Sequence, residues 1–201
     1  MAGLHRSRFA QMRQPAGVLL GALVWLWPVV AHPVPEAWPN MVAWSAGAWL
    51  GLVVLARREQ GDGIVAQGWL LAALVSAVLG LVQYFGYSGL LSPFLAIAPA
   101  GHAWANTHQT NHLASLLAVG LWVLAWMQAQ GRWLRHLHWI AALLAVALAA
   151  TASRGGFLQL LLVSALALWW GHGRRGPLLR LYSVALASYG VAMFALPWVL
   201  E

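Results

Sequence analysis

The sequence predicts an all-α integral membrane protein, a polytopic bundle of about seven transmembrane helices that forms a single domain over residues 1–201. Of the 201 residues, 62% are hydrophobic and only 7% are charged, whereas a soluble domain has about 25% charged residues. The hydrophobic residues are gathered into long runs, and a helix needs about 20 of them to cross a bilayer. Arginines recur in alternate short loops between these runs, which is typical of polytopic membrane proteins.

Seven apolar runs are candidates for the transmembrane helices. They are residues 15–31, 41–56, 64–84, 111–128, 139–153, 156–171 and 180–199. The second, fifth and sixth runs are short for a bilayer. The first run follows three arginines and resembles a signal peptide, with a weak cleavage site at Val29-Val30-Ala31. Its length and the spans that follow it favour an uncleaved transmembrane helix.

The positions of the arginines predict the orientation. All eleven basic residues are Arg, and ten of them lie at the N-terminus or in and beside loops 57–63, 129–138 and 172–179. The positive-inside rule places these segments in the cytoplasm, together with the N-terminus. Loops 32–40 and 85–110, the turn 153–155 and the C-terminus then face the periplasm. Arg154 is the one Arg on the outer side, and a charge near membrane depth needs a partner, for which a bound anion is the expected choice.

Composition also excludes several classes of function. The chain has no Cys, which excludes disulfides, thiolate catalysis and Cys-ligated metal. The net charge of +7 reflects topology rather than nucleic-acid binding, because the arginines are scattered and form no nucleic-acid motif. Glu59 and Asp62 are predicted to be cytoplasmic, while Glu36 and Glu201 face out, so no carboxylate pair for acid–base chemistry is expected.

The first polar cluster lies at residues 101–115, where the outer loop runs into the fourth span. On a helix that begins near Thr110, His108, Asn111 and His112 share one face by their spacing, and Gln109 lies three residues before His112. Side-chain donors beside the free N–H groups of a helix N-terminus suit a phosphate or carboxylate. The alternative is a hydrated loop and helix cap without a ligand.

A metal site is a further interpretation of this cluster. His108 and His112 have the i, i+4 spacing of a metal-binding pair, and His102 is near in sequence. A structural zinc site requires four ligands and a catalytic site three, and no carboxylate lies nearby. We therefore predict no metal and no cofactor.

The second polar cluster is Thr151-Ala152-Ser153-Arg154-Gly155-Gly156, a tight turn between the fifth and sixth spans. Gly155 and Gly156 permit backbone conformations closed to other residues, and they expose N–H groups at the start of the sixth helix. Arg154 adds a forked donor suited to bidentate phosphate binding, next to Ser153. The alternative is an Arg154 that extends to the outer lipid headgroups.

Three further polar residues are less specific. Gln83 and Tyr84 end the third span on the outer side, where they line the same cavity or lie in the membrane interface. Gln159 lies one turn into the sixth span and is expected to form a hydrogen bond between helices.

Together, the two clusters resemble motifs of the O-antigen ligase superfamily, most closely those of pilin-type O-linked protein glycosylation ligases. Members of that group have a Gln-Pro-Asn-His-Leu-Ala stretch at the start of a transmembrane helix, matched here by residues 109–114. About forty residues further on they have a Ser-Arg-Gly stretch, matched by residues 153–155, and Gln83-Tyr84-Phe85 is similar too. The resemblance covers roughly residues 15–199.

The resemblance implies a metal-independent glycosyltransferase of the bacterial inner membrane. It implies transfer of a glycan from a polyprenyl-pyrophosphate carrier to a Ser or Thr of a pilin-like protein, or to a lipid A core hydroxyl. Arg154 and His112 would be catalytic, with Arg154 neutralising the leaving pyrophosphate and His112 serving as a base. The substrate-binding residues would be Gln109, Asn111, His108, Ser153, Gly155 and Gly156.

The chain also departs from the family pattern. Thr110 replaces the usual Pro, and the Arg often found shortly before that motif is missing. The family continues with a large periplasmic loop that carries a functional His, and with further spans, where this sequence stops at Glu201. We therefore expect an N-terminal part of a longer ligase that is inactive by itself, and glycan transfer by residues 1–201 alone would contradict this.

Three alternatives remain open. A polysaccharide polymerase of the same superfamily differs in its acceptor, and the Gln-x-Asn-His-Leu-Ala form favours the protein-glycosylation branch. A haem-handling protein of cytochrome biogenesis would also be rich in Trp and outward His, but this chain lacks the Trp-Asp pair of those proteins. A transporter or non-catalytic scaffold is the third, and the unbroken spans and the lack of charge near the membrane midplane argue against a transporter.

Overall fold

A computed structural model of the chain describes residues 61–92, 94–107, 109–131, 136–171, 173 and 175–200, together with the isolated positions 15, 17–19, 22 and 47. Between residues 61 and 200, the described residues form five α-helices and one short 3-10 helix, without a strand. In chain order these are α1 (Gly61–Tyr84), the 3-10 helix (Ser88–Leu91), α2 (Thr110–Ala129), α3 (Leu137–Ala150), α4 (Arg154–Trp170) and α5 (Arg175–Leu200).

These helices confirm the all-α prediction for the part of the chain that is described. They overlap the third to seventh predicted spans, although α5 begins at Arg175, five residues before the predicted start at residue 180. The first two spans, 15–31 and 41–56, lie almost wholly outside the described residues. The fifth span was predicted to reach residue 153, but α3 ends at Ala150. The Thr151 hydroxyl donates to the Leu148 carbonyl at 2.7 Å, and Ala152 has a φ of +49°. Both features belong to a turn and stop the helix.

Three of the described helices are long and apolar enough to cross a membrane, fewer than the seven predicted spans. They are Gly63–Tyr84, Thr110–Ala129 and Arg175–Leu200, with 22, 20 and 26 residues. Helices α3 and α4 have 14 and 17 residues, which makes them about 21 and 26 Å long against a hydrocarbon core of about 30 Å. Composition and these three helices indicate a membrane protein.

Helices α2 and α3 each contact the other four described helices, and α3 packs chiefly against α5. Twelve residues of α2 are buried, from Leu113 to Gln128, as expected for a helix that is apolar on every side. A Cβ added at Gly120 would lie 2.6 Å from the Cβ of Ala73 in α1 and 3.1 Å from Leu144 Cδ1 in α3. Because glycine has no side chain, Gly120 allows α1, α2 and α3 to pack closely, as small residues commonly do in membrane bundles.

The five helices place their ends at two opposite faces of the bundle. At one face, which we call the polar end, α2 and α4 begin, and α1, α3 and α5 finish. The Gly101 N–H bonds the Tyr84 carbonyl there at 2.8 Å, and a Cβ on Gly101 would lie 3.5 Å from Leu200 Cδ1. Both polar clusters of the sequence lie at this polar end. The C-terminal turns of α2 and α4 and the first turns of α3 and α5 form the opposite end.

Candidate functional site

The first turns of α2 and α4 are joined at the polar end by a hydrogen bond between side chains. The Ser153 hydroxyl lies 2.7 Å from Asn111 Oδ1, across 42 residues of sequence. Ser153 is also the N-cap of α4, because its oxygen accepts the Gly156 N–H at 2.9 Å. The structure therefore brings together one residue from each of the two polar clusters.

The hydrogen bond to Ser153 orients the Asn111 amide. The Ser153 oxygen accepts from the Gly156 N–H, and its single hydrogen is donated to Asn111 Oδ1. The Nδ2 group of Asn111 donates to no described residue, and Asn111 is exposed. An amide donor is thus held at a fixed position and is open to a ligand.

A second pair of side chains joins the same two helices one turn further from the polar end. Gln159 Nε2 donates to the Ser115 hydroxyl at 3.0 Å, which confirms the bond between helices expected of Gln159. The Ser115 hydroxyl in turn donates to the backbone carbonyl of Asn111 at 3.0 Å. The Oε1 atom of Gln159 is buried without a partner among the described residues.

Between the two pairs of side chains, Gly156 lies against α2. A Cβ at Gly156 would be 2.8 Å from the Cβ of Ala114 and 3.0 Å from Leu148 Cδ1. Its N–H is already bonded to Ser153, so the free N–H that the sequence predicted at this position is not available to a ligand. Gly156 instead allows the close approach of α4 to α2.

Arg154 and Gly155 are the first two residues of α4, and both are exposed. Their N–H groups precede the first backbone bond of the helix, which runs from Phe157 N to Ser153 O at 3.2 Å. Consecutive Cα atoms are about 3.8 Å apart, so Arg154 leaves the backbone beside the Ser153–Asn111 bond. Its guanidinium forms no hydrogen bond or ion pair with a described residue. The Arg154 guanidinium and two backbone N–H groups without helical partners therefore lie together at the start of α4.

The other predicted residues of the first cluster lie at the start of α2. Gln109 is the N-cap residue, but its side chain makes no cap bond. Gln109 and His112 are exposed, and the first backbone bond of the helix runs from Leu113 N to Gln109 O. The N–H groups of residues 110–112 are therefore free of helical partners. His108 lies outside the described residues.

Residues with metal-binding side chains do not gather in the described part of the chain. No group of three His, Cys, Asp or Glu side chains is close enough there to hold a metal ion. His102 is exposed, and its ring stands edge-on to Trp104 with a centroid distance of 6.1 Å.

Sequence reasoning missed the role of Gln83, which was expected to line the cavity or lie in the interface. Its side chain is fully buried and makes four hydrogen bonds to the loop between α1 and α2. Nε2 donates to the carbonyls of Ala96 and Ala105, at 2.8 and 3.1 Å. Oε1 accepts the N–H groups of Trp104 and Ala105, at 3.1 and 2.6 Å. Gln83 therefore holds the loop in place immediately before α2. The sequence did contain a signal for this role: a single amide side chain at the end of an apolar helix, just before a long loop.

The loop between Gln83 and α2 also contains an unusual backbone position. Ala105 has a φ of +47°, a region that costs a residue with a side chain about 1–2 kcal/mol. The two bonds of Gln83 to Ala105 hold it there. Next to it, Asn106 is 4% exposed and its Oδ1 has no partner among the described residues. Thr107 closes the turn by donating to the Trp104 carbonyl at 2.7 Å.

The polar end is thus suited to an anion. Two helix N-termini meet there, each with free N–H groups and the positive end of a helix dipole. Arg154 supplies a full charge, and Asn111 supplies an oriented amide donor. Helices α2 to α5 contain no acidic residue, so no carboxylate on these helices competes for the cation.

Comparisons with protein-family models, with curated protein sequences and with solved structures find no significant match to this chain.

Proposed function

We propose that this chain is part of a membrane glycan ligase, which transfers an oligosaccharide from a polyprenyl-pyrophosphate carrier to a protein Ser or Thr or to a lipid A core hydroxyl. One observation supports the proposal above the others. The hydrogen bond from Ser153 to Asn111 joins the two sequence motifs that resemble the O-antigen ligase superfamily. Two motifs 42 residues apart that belong to one site must meet in space, and these two do.

The proposed reaction is displacement at the anomeric carbon of the first sugar. The acceptor oxygen forms a bond to that carbon while its bond to the pyrophosphate oxygen breaks, and the pyrophosphate leaves with the electron pair. Arg154 and the Gly155 N–H neutralise the charge that develops on the leaving group. Asn111 Nδ2 and Gln109 orient the pyrophosphate or the sugar. His112 accepts the proton of the acceptor hydroxyl.

The proposed setting is the bacterial inner membrane, with a bundle of about seven helices and the N-terminus in the cytoplasm. The polar end then faces the periplasm. Arg175 and Arg180 lie in the first turns of α5, at the opposite end of the bundle from Arg154. This distribution supports the orientation, because short cytoplasmic segments carry the excess of arginine.

Binding of the carrier's head is the sharpest test, because it requires neither the glycan nor the acceptor. The purified full chain in detergent is titrated with farnesyl pyrophosphate, and farnesol serves as the uncharged comparison. Arg154→Ala should weaken binding about ten- to a hundredfold, since hydrogen bonds to charged groups contribute about 1.5–3 kcal/mol.

Arg180→Ala is the matched control, because it removes the same charge from an exposed position at the opposite end. It should leave binding unchanged. Equal binding of farnesol and farnesyl pyrophosphate, or an equal loss in both variants, would contradict the proposal. In the native membrane, Arg154→Ala should also abolish glycan transfer while the amount of protein stays the same.

A further inference from the structure

A second recess lies at the opposite end of the bundle from Arg154, between the last turns of α4 and the first turns of α5. It is an open cleft of about 490 Å³, lined by Ala165, Leu168 and Trp169 of α4 and by Arg175 and Leu179 of α5. The spacings of three and four residues place each set on one face of its helix. The volume is in the range of about 300–1,000 Å³ that ligand sites occupy. The cleft therefore has two apolar walls and one cation.

The two helices that line this cleft offer its cation no carboxylate. The chain has eleven arginines and only four Asp and Glu residues, so basic side chains outnumber acidic ones by seven. Neither α4 nor α5 contains an acidic residue. Arg175 is exposed and forms no hydrogen bond with a described residue. A phosphate group is a suitable complement for this guanidinium, because arginine pairs with phosphate through charge-assisted hydrogen bonds.

The surroundings of the cleft indicate which kind of anion. Trp169 is 70% exposed and Leu179 is 50% exposed, so the apolar walls are open on the outside of the bundle. Tryptophan is enriched where hydrocarbon meets the headgroups, and arginine extends its head to that same level. A phosphate at Arg175 with a hydrocarbon chain along Leu168 and Leu179 would satisfy both parts of the cleft.

We propose that the cleft between α4 and α5 binds one anionic phospholipid, with its phosphate on the Arg175 guanidinium and an acyl chain against Leu168 and Leu179. A free phosphate would engage the Arg175 guanidinium but none of the four apolar lining residues. A zwitterionic lipid would bring an ammonium group to a cleft whose two helices offer it no carboxylate. This site is separate from the polar end and does not depend on the glycan ligase proposal.

Native mass spectrometry of the full chain, with added lipid, tests this proposal. Phosphatidylglycerol should remain bound to the wild-type protein, while phosphatidylcholine should bind more weakly. Arg175→Gln should weaken phosphatidylglycerol binding by about fivefold or more, which corresponds to about 1 kcal/mol for one Arg near a lipid surface. Arg180→Gln is the control, because Arg180 is an exposed Arg of the same helix that does not line the cleft.

A second pair of variants tests the apolar walls without changing the charge. Leu179→Trp fills the cleft and should lower phosphatidylglycerol binding. Leu162→Trp alters an exposed leucine of α4 that does not line the cleft, and it should have no effect. Arg175→Lys should keep the preference for phosphatidylglycerol, and circular dichroism checks that each variant is folded.

Three results would overturn the proposal. One is equal binding of the two lipids by the wild-type protein. Another is an equal loss of binding in Arg175→Gln and Arg180→Gln, which would show a response to overall charge. The last is full displacement of the lipid by inorganic phosphate at the same concentration, which would show that the apolar walls contribute nothing.

Discussion

Two neighbouring glycines at the start of α4 offer a matched test of the helix contact that forms the candidate site. Gly155 and Gly156 are both in the first turn, but their surroundings differ. A Cβ at Gly156 would lie 2.8 Å from the Cβ of Ala114 and 3.0 Å from Leu148 Cδ1, whereas a Cβ at Gly155 would meet only the Ser153 hydroxyl at 3.6 Å. We predict that Gly156→Ala destabilises the protein and that Gly155→Ala does not.

The magnitude follows from comparing the two substitutions. Each replaces glycine by alanine in a helix, which by itself is favourable by about 0.5–1 kcal/mol. That contribution largely cancels in the difference, because the two residues are adjacent. Forcing an extra methyl group into a packed interface costs about 1–3 kcal/mol. Gly156→Ala should therefore be less stable than Gly155→Ala by about 1–3 kcal/mol.

Thermal unfolding of both variants in the same detergent, followed by far-ultraviolet circular dichroism, measures this difference. For a chain of this size, 1 kcal/mol shifts Tm by about 2–4 °C, so the two Tm values should differ by about 2–12 °C. Equal Tm values, or a lower Tm for Gly155→Ala, would refute the reasoning and with it the close contact of α4 with Ala114.

Three further predictions concern the residues that hold the site together. Gln83→Leu leaves buried loop amides unpaired, at about 1–3 kcal/mol for each unsatisfied group, so Tm should fall and amide exchange at Ala105 should accelerate; unchanged exchange would count against the role of Gln83. Ser153→Ala removes a helix cap and the bond to Asn111, and should cost about 1–2 kcal/mol of unfolding free energy, whereas Ser153→Thr keeps a capping hydroxyl and should cost less. The chain has no Cys, so cysteines placed at 111 and 153 should form a disulfide and lose both free thiols on mild oxidation. Cysteines at 111 and 180 should keep their free thiols. Mass spectrometry of the peptides decides between these outcomes.

Helix type and approximate bounds were predictable from local sequence alone. Apolar runs must satisfy their backbone groups internally in a membrane, and a helix does so within one segment. This is why α1, α2 and α4 were found within three residues of their observed bounds, whereas α5 begins at Arg175, five residues before its predicted span. At the end of α3 the predicted span runs three residues too far, because the Thr151 side chain and the backbone of Ala152 form a turn that hydropathy does not reveal.

The candidate site was predictable only as two separate lists of residues. Polar residues in an otherwise apolar chain were conspicuous, so Asn111, Ser153 and Arg154 could be selected from the sequence. Their meeting depends on how α4 packs against α2, which is decided by contacts such as Gly156 with Ala114. Those contacts join residues more than forty positions apart, and no local pattern encodes such a distance.

The tertiary structure also assigned roles that residue type alone could not. Gln83 and Gln159 both have amide side chains near the polar end, yet Gln83 binds the loop between α1 and α2 through four bonds while Gln159 links α4 to α2. The N–H of Gly156 looked free, but the capping oxygen of Ser153 occupies it. Hydropathy and spacing determine which segments become helices, because those depend on neighbouring residues. The partner of each polar group depends on which helices meet, so only the packed bundle decides it.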